Sequence, residues 1–135
     1  VLVQLPPSLR FEADVAAAFF QALRQRFNGM LACEARHPSW FETGATELLT
    51  MRGITRVRAD PPAGQPGSHV PTTAVAYLRL HGSPKIYYSD YPADYLTALA
   101  ADLHTSAQAD SWCIFDNTAA GAALFNALDL QARLI

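Results

Sequence analysis

Met30-Leu31-Ala32-Cys33-Glu34-Ala35-Arg36-His37-Pro38-Ser39-Trp40-Phe41 is the stretch whose reading decides the fold. It opens as an apolar strand, Leu31 to Arg36, and ends in chemically capable side chains: Glu34, Arg36, His37, Ser39 and Trp40. A helical pattern follows at once over Thr43 to Arg52 and stops at Gly53. Where a strand hands over to a helix, α/β proteins build ligand sites at the strand's carboxyl end.

Outward from this stretch the same alternation repeats. Val1 to Leu5 reads as a strand stopped by Pro6-Pro7, because proline cannot donate to a ladder. Asp14 is the expected N-cap of a helix to about Phe27, with Val15, Ala18, Phe19, Ala22 and Leu23 as its buried stripe. Asn28-Gly29 ends it. Further strands are expected at Ile54 to Asp60, Val75 to His81 and Trp112 to Asn117. Residues 63–73, rich in glycine and proline, read as a loop long enough to cross over between parallel strands. A helix from Pro92 buries Leu96, Leu99, Ala100 and Leu103, and a last one, 120–134, buries Ala123, Ala127, Leu130 and Leu134. Strand-then-helix repetition calls for a parallel sheet with right-handed crossovers.

Strand side chains alternate between two faces. Glu34 and Arg36 then share a face, as do Arg56, Arg58 and Asp60, and as do Tyr77, Arg79 and His81. Helices must cover the apolar faces. Charged groups collected on the other side are costly under a second helix layer, but inside a barrel Glu34 and Asp60 can pair with Arg36, Arg58 and Arg79. The expected fold is therefore α/β: a partial TIM-type (β/α) barrel of about five parallel strands with covering helices, formed as a single domain over residues 1–135. Five strands leave open edges. The chain also opens without methionine inside a predicted strand. We therefore expect a missing amino-terminal half of the barrel, or a second chain, over those edges.

Composition limits the function classes. With 135 residues, half of them hydrophobic, the chain can build one ordinary core. No apolar run reaches the ~18 residues that span a bilayer, and no signal-peptide pattern is expected. A net charge of -2 lends no support to nucleic-acid binding, though a local basic patch stays open. Cys33 and Cys113 fit no metal or redox spacing. They read as buried free thiols in a reducing cytoplasm, with a Cys33–Cys113 disulfide as the alternative.

Several motifs occur in one order: Gln4-Leu5-Pro6-Pro7; Glu34-x-Arg36-His37-Pro38-Ser39-Trp40-Phe41; Tyr77-x-Arg79-Leu80-His81-Gly82; Phe115-Asp116-Asn117; and Gly121-x-Ala123-x-x-Asn126-Ala127. Together they resemble the YecE-like family, also called domain of unknown function 72, over essentially the whole chain. The resemblance implies a TIM-type barrel, with this chain as its carboxyl-terminal part, from about the fourth strand to the eighth. It names no settled reaction. Asp116 stands where the family usually shows a second asparagine.

The residues themselves suggest acid–base chemistry. Glu34 beside His37 can tune or hold an imidazole that titrates near neutral pH, and His81 can assist. Arg36 and Arg79 offer planar forks for a phosphate or carboxylate. Asp60 joins them at a strand end, Tyr87 and Tyr88 can stack on a base or sugar, and Asn117 can bond a substrate hydroxyl. The bland alternative is a set of ion pairs that only neutralise buried charge. Glu34, His37, Asp60 and His81 could hold a metal, but no ligand spacing supports it, so neither metal nor cofactor is assigned. Ser39 has no evident base arranged as in a serine hydrolase, so no nucleophile is assigned, and His69 and His104 read as solvated bystanders.

The expected function is a strand-end pocket for a small polar or anionic molecule, with acid–base or hydrolytic chemistry on a phosphate- or sugar-containing substrate. The alternatives are a metal-dependent phosphodiester- or sugar-processing barrel, and a non-catalytic binding module or inactive fragment.

Overall fold

The computed structural model describes residues 1–135 as an α/β protein with two parallel sheets and four α-helices. The strands are β1 (Leu2–Gln4), β2 (Leu31–Glu34), β3 (Ile54–Arg56), β4 (Arg58–Asp60), β5 (Val75–Leu80) and β6 (Asp110–Phe115). The helices are α1 (Ala13–Arg26), α2 (Thr43–Met51), α3 (Ala93–Thr105) and α4 (Ala122–Leu134). One sheet has the order β1-β2-β3, the other β4-β5-β6. Six strands stand where five were expected, because Ile54 to Asp60 is interrupted at Val57.

The chain divides into two compact units, Val1–Arg58 with Pro62–Ala74, and Ala59–Pro61 with Val75–Ile135. In the first, Phe20, Leu31, Cys33, Trp40, Ala45, Leu49 and Ile54 form the core. The α1 stripe differs from expectation. Ala16 and Phe20 are the buried residues, whereas Val15 and Phe19 are 64% and 48% exposed. The helix is rotated so that Phe20 meets Trp40 edge-on. Its N-cap is Glu12, without a side-chain cap, and Asp14 lies in the first turn, where a carboxylate suits the helix dipole. At the other end Arg24 donates to the carbonyls of Gly29, Arg52 and Gly53, tying the ends of α1 and α2 together.

The parity reading fails at Arg56. Its register partner on β2 is Cys33, so it sits on the core-facing side and not with Glu34. There the guanidinium donates to Trp40 O, Val70 O and Thr46 Oγ1, and lies over the Phe41 ring. Burial pushes its pKa below the ordinary value. The cation is accommodated because its donors find backbone carbonyls, which costs less than leaving them dry.

In the second unit Ala76, Leu78 and Leu80 of β5 pack with Tyr91, Leu96, Leu99, Ala100 and Leu130. The register Leu78↔Cys113 and Leu80↔Phe115 puts the same face of β6 over this core. The α3 stripe is as expected. In α4 the buried residues are Asn126 and Leu130.

Candidate functional site

Two groups of chemically capable side chains form, one in each unit. In the first unit Arg36 Nη2 lies 3.4 Å from Glu34 Oε1, so the shared face read from the sequence holds. His37 goes elsewhere. Its Nδ1 lies 2.9 Å from Ser39 Oγ and accepts from Ser39 N at 3.2 Å, which caps the 3₁₀ turn Pro38–Phe41. His37 is thus a base beside Ser39. Yet Ser39 is buried, and its Oγ already accepts the Phe11 N–H at 2.8 Å, so the pair serves the turn. Glu34 and His37 thus do not form the expected acid–base couple.

In the second unit three strand ends meet. His81 N donates to Asp60 O at 2.8 Å, and Asp116 N donates to Leu80 O at 2.8 Å. The alternation of β5 turns Arg79 and His81 away from Leu78 and Leu80. Asp116, one step beyond the core-facing Phe115, turns to the same side. Its Oδ2 lies 2.6 Å from Arg79 Nη2 and 3.1 Å from His81 Nδ1. Arg79 and His81 are buried, whereas the Asp116 side chain is one-third exposed. The carboxylate that partners them is one the sequence reading left out of the site. Carrying the face alternation along the expected strand Trp112 to Asn117 would have found it.

Asp60 plays another part. Its Oδ2 accepts from the Tyr91 hydroxyl at 2.8 Å, and that hydroxyl in turn accepts from Gly82 N at 2.9 Å. Burial, and then the Asp60 carboxylate, push the Tyr91 phenol above its ordinary pKa, so it remains a donor. Asp60 therefore anchors the 82–91 loop rather than pairing with Arg79.

That loop is closely fixed. Gly82 has φ +93, and a Cβ there would stand 3.0 Å from Ser89 O, so only glycine fits. Tyr87, at φ 70, donates its N–H to His81 O and accepts from Ala119 N. Its ring meets the His81 ring edge-on with centroids 6.0 Å apart. Tyr88 is exposed, with Lys85 Nζ 4.0 Å above its ring. Asn117 Nδ2 donates to Ser89 O and Asn126 Oδ1, and Asn126 Nδ2 donates to Asp90 Oδ1 and Tyr91 O. Asn126 satisfies a loop backbone, as expected. Asn117 is fully buried, its Nδ2 holds the loop, and its Oδ1 has no hydrogen-bond partner.

Elsewhere, both cysteines are free thiols. Burial pushes Cys33 up to about 12, which makes it inert at neutral pH. His69 is not the solvated bystander expected. Its Nδ1 is buried without a partner, and burial, helped by Arg58 and Arg56, pulls its pKa down to about 4. No group of three or more His, Cys, Asp or Glu side chains is close enough to hold a metal ion. No helix is long and apolar enough to cross a membrane.

The family model described as "Protein of unknown function DUF72" matches residues 1–135. The chain belongs to the DUF72 family. The YecE-like resemblance is to this same family. A DUF72 family protein, TM1631 of Thermotoga maritima, is 29% identical with a TM-score of 0.81, covering 98% of this chain and 56% of that one. EF0366 of Enterococcus faecalis, another DUF72 family protein, is similar in two structures. These are 22% and 24% identical, have TM-scores of 0.77 and 0.76, and cover 98% of this chain with 57% and 59% of theirs. This DUF72 chain thus spans somewhat over half the length of those relatives. No curated protein matches it.

Proposed function

We propose that the ends of β4, β5 and β6 carry a pocket for a small polar or anionic molecule, with acid–base or hydrolytic chemistry on a sugar- or phosphate-containing substrate. The observation that carries this reading is the Asp116–His81 pair, 3.1 Å apart at Nδ1. A carboxylate on one imidazole nitrogen orients the ring for proton transfer. Arg79 Nη2 pairs with the same carboxylate oxygen at 2.6 Å. Tyr87 supplies aromatic surface beside it. In this reading Glu34 and Arg36 line the polar side of β2 without moving protons. The whole is a carboxyl-terminal portion of a TIM-type barrel, a single domain whose remaining strands come from an amino-terminal half or a second chain. The free thiols favour a cytoplasmic setting.

The test is a panel of aryl glycosides and aryl phosphates offered to the full chain and to His81→Ala, with melting temperature as the folding control. Hydrolysis that falls at least about a hundredfold in a folded H81A protein supports general acid–base catalysis, whose usual share is of that order. Equal turnover in both proteins removes the catalytic reading and leaves a binding module.

A further inference from the structure

We infer that the Arg79–His81–Asp116 cluster selects a neutral, hydroxyl-bearing ligand such as a sugar over a phosphate or carboxylate, and that Asp116 is the residue that sets this choice. The inference rests on the reading of the cluster as a ligand site. Both contacts of Asp116 fall on one oxygen: Oδ2 is 2.6 Å from Arg79 Nη2 and 3.1 Å from His81 Nδ1. That is the seat in which a bound anion would bridge an arginine and a histidine. The protein has filled it with a carboxylate of its own. A second anion would have to displace Asp116 or lie against it, like charge beside like charge.

What the cluster presents outward follows from burial. The side chains of Arg79 and His81 are 10% and 7% exposed, and that of Asp116 is 33% exposed. An arriving molecule therefore meets the carboxylate first. Oδ1 makes no hydrogen bond within the protein, and an ionised carboxylate only accepts. The ligand must bring a donor. A hydroxyl does so without charge. An ammonium group would meet the Arg79 guanidinium directly behind the carboxylate. Tyr87 completes the match. The residue is 44% exposed, and its ring stands edge-on to His81 at 6.0 Å. A carboxylate edge beside an open aromatic face suits a sugar ring, which has hydroxyls at its rim and C–H bonds on its faces.

The experiment follows the His81 ring resonances of the isotopically labelled full chain at pH 7. Inorganic phosphate and methyl glucoside are titrated separately into the wild type and into Asp116→Asn, an isosteric change that removes the charge. Expected are glucoside-induced shifts in the wild type that weaken at least tenfold in D116N, and phosphate-induced shifts at least tenfold stronger in D116N than in the wild type. Phosphate moving His81 as strongly in the wild type as in D116N overturns the selectivity while leaving the ligand site standing. Silence of His81 toward both probes in both proteins overturns the site and the selectivity together. Should D116N fail to fold, Asp116→Ser replaces it, and phosphate shifting the wild-type His81 at least as strongly as the glucoside does rejects the inference.

Discussion

At the scale of single residues, burial decides which polar groups are structural. The Tyr91 hydroxyl connects Gly82 N to Asp60 Oδ2. Tyr91→Phe leaves the buried Gly82 N–H without an acceptor, and we expect a loss of about 1–3 kcal/mol in urea unfolding. His69 should make stability pH-dependent. Its folded pKa, about 4, lies below the ordinary 6.5. The unfolded chain then takes up a proton that the folded chain refuses. The stability this contributes is complete above pH 6.5 and is lost as the pH falls from 6.5 through 4. Urea midpoints measured across that range should decline in the wild type and decline less in His69→Gln. Cys33, buried with its thiol pushed up to about 12, should resist alkylation at pH 8 in the folded protein, whereas the half-buried Cys113 reacts first. Peptide mapping after brief iodoacetamide treatment reads the order.

At the scale of elements, packing chose between stripes that the sequence offered equally. Phe19 and Phe20 are neighbours on α1, yet Phe20 is 0% and Phe19 48% exposed. Phe20→Ala should cost about 3–5 kcal/mol, while Phe19→Ala costs well under half of that, as measured by denaturant unfolding. The sequence pattern on β5 was legible because it is uninterrupted: Ala76, Leu78 and Leu80 enter the core, and Arg79 and His81 leave it. The pattern on 54–60 was not, because the break at Val57 resets the alternation between β3 and β4. Arg56 looked like a neighbour of Arg58 and became a core-side cation held by three backbone or hydroxyl oxygens. His37 was misread for a similar reason. Proline at the next position begins a 3₁₀ turn, and the imidazole is used to cap it.

At the scale of the molecule, each unit keeps apolar surface uncovered. In the first, a groove of about 430 Å³ is lined by Leu5, Val15, Phe19 and Trp40. In the second, one of about 530 Å³ runs between Phe115 on β6 and Leu130 on α4. Trp112 on the outer strand β6 is 53% exposed, and Phe125 and Leu128 on α4 are 72% and 53% exposed. Apolar area of this kind drives association, and an outer strand offers unpaired backbone groups. We expect the 135-residue chain to self-associate at micromolar concentration. Replacing Trp112 and Phe125 together by lysine should shift it toward monomer in sedimentation velocity. A wild-type chain that sediments as a stable monomer would contradict the expectation that these surfaces need covering.

The sequence by itself determined the family, the alternation of parallel strands with helices and the placing of Arg79 and His81 on one face. Each of these depends on local periodicity and on ordered motifs, which any reader of the chain can count. Only the tertiary structure decided that Asp116 completes the cluster, that Asp60 and Asn117 hold a loop, and that His37 caps a turn. A polar side chain can be satisfied by any partner within reach, and which partner is nearest depends on contacts among residues distant along the chain. Asp116 and Arg79 are 37 positions apart and meet only because β5 and β6 lie side by side in register.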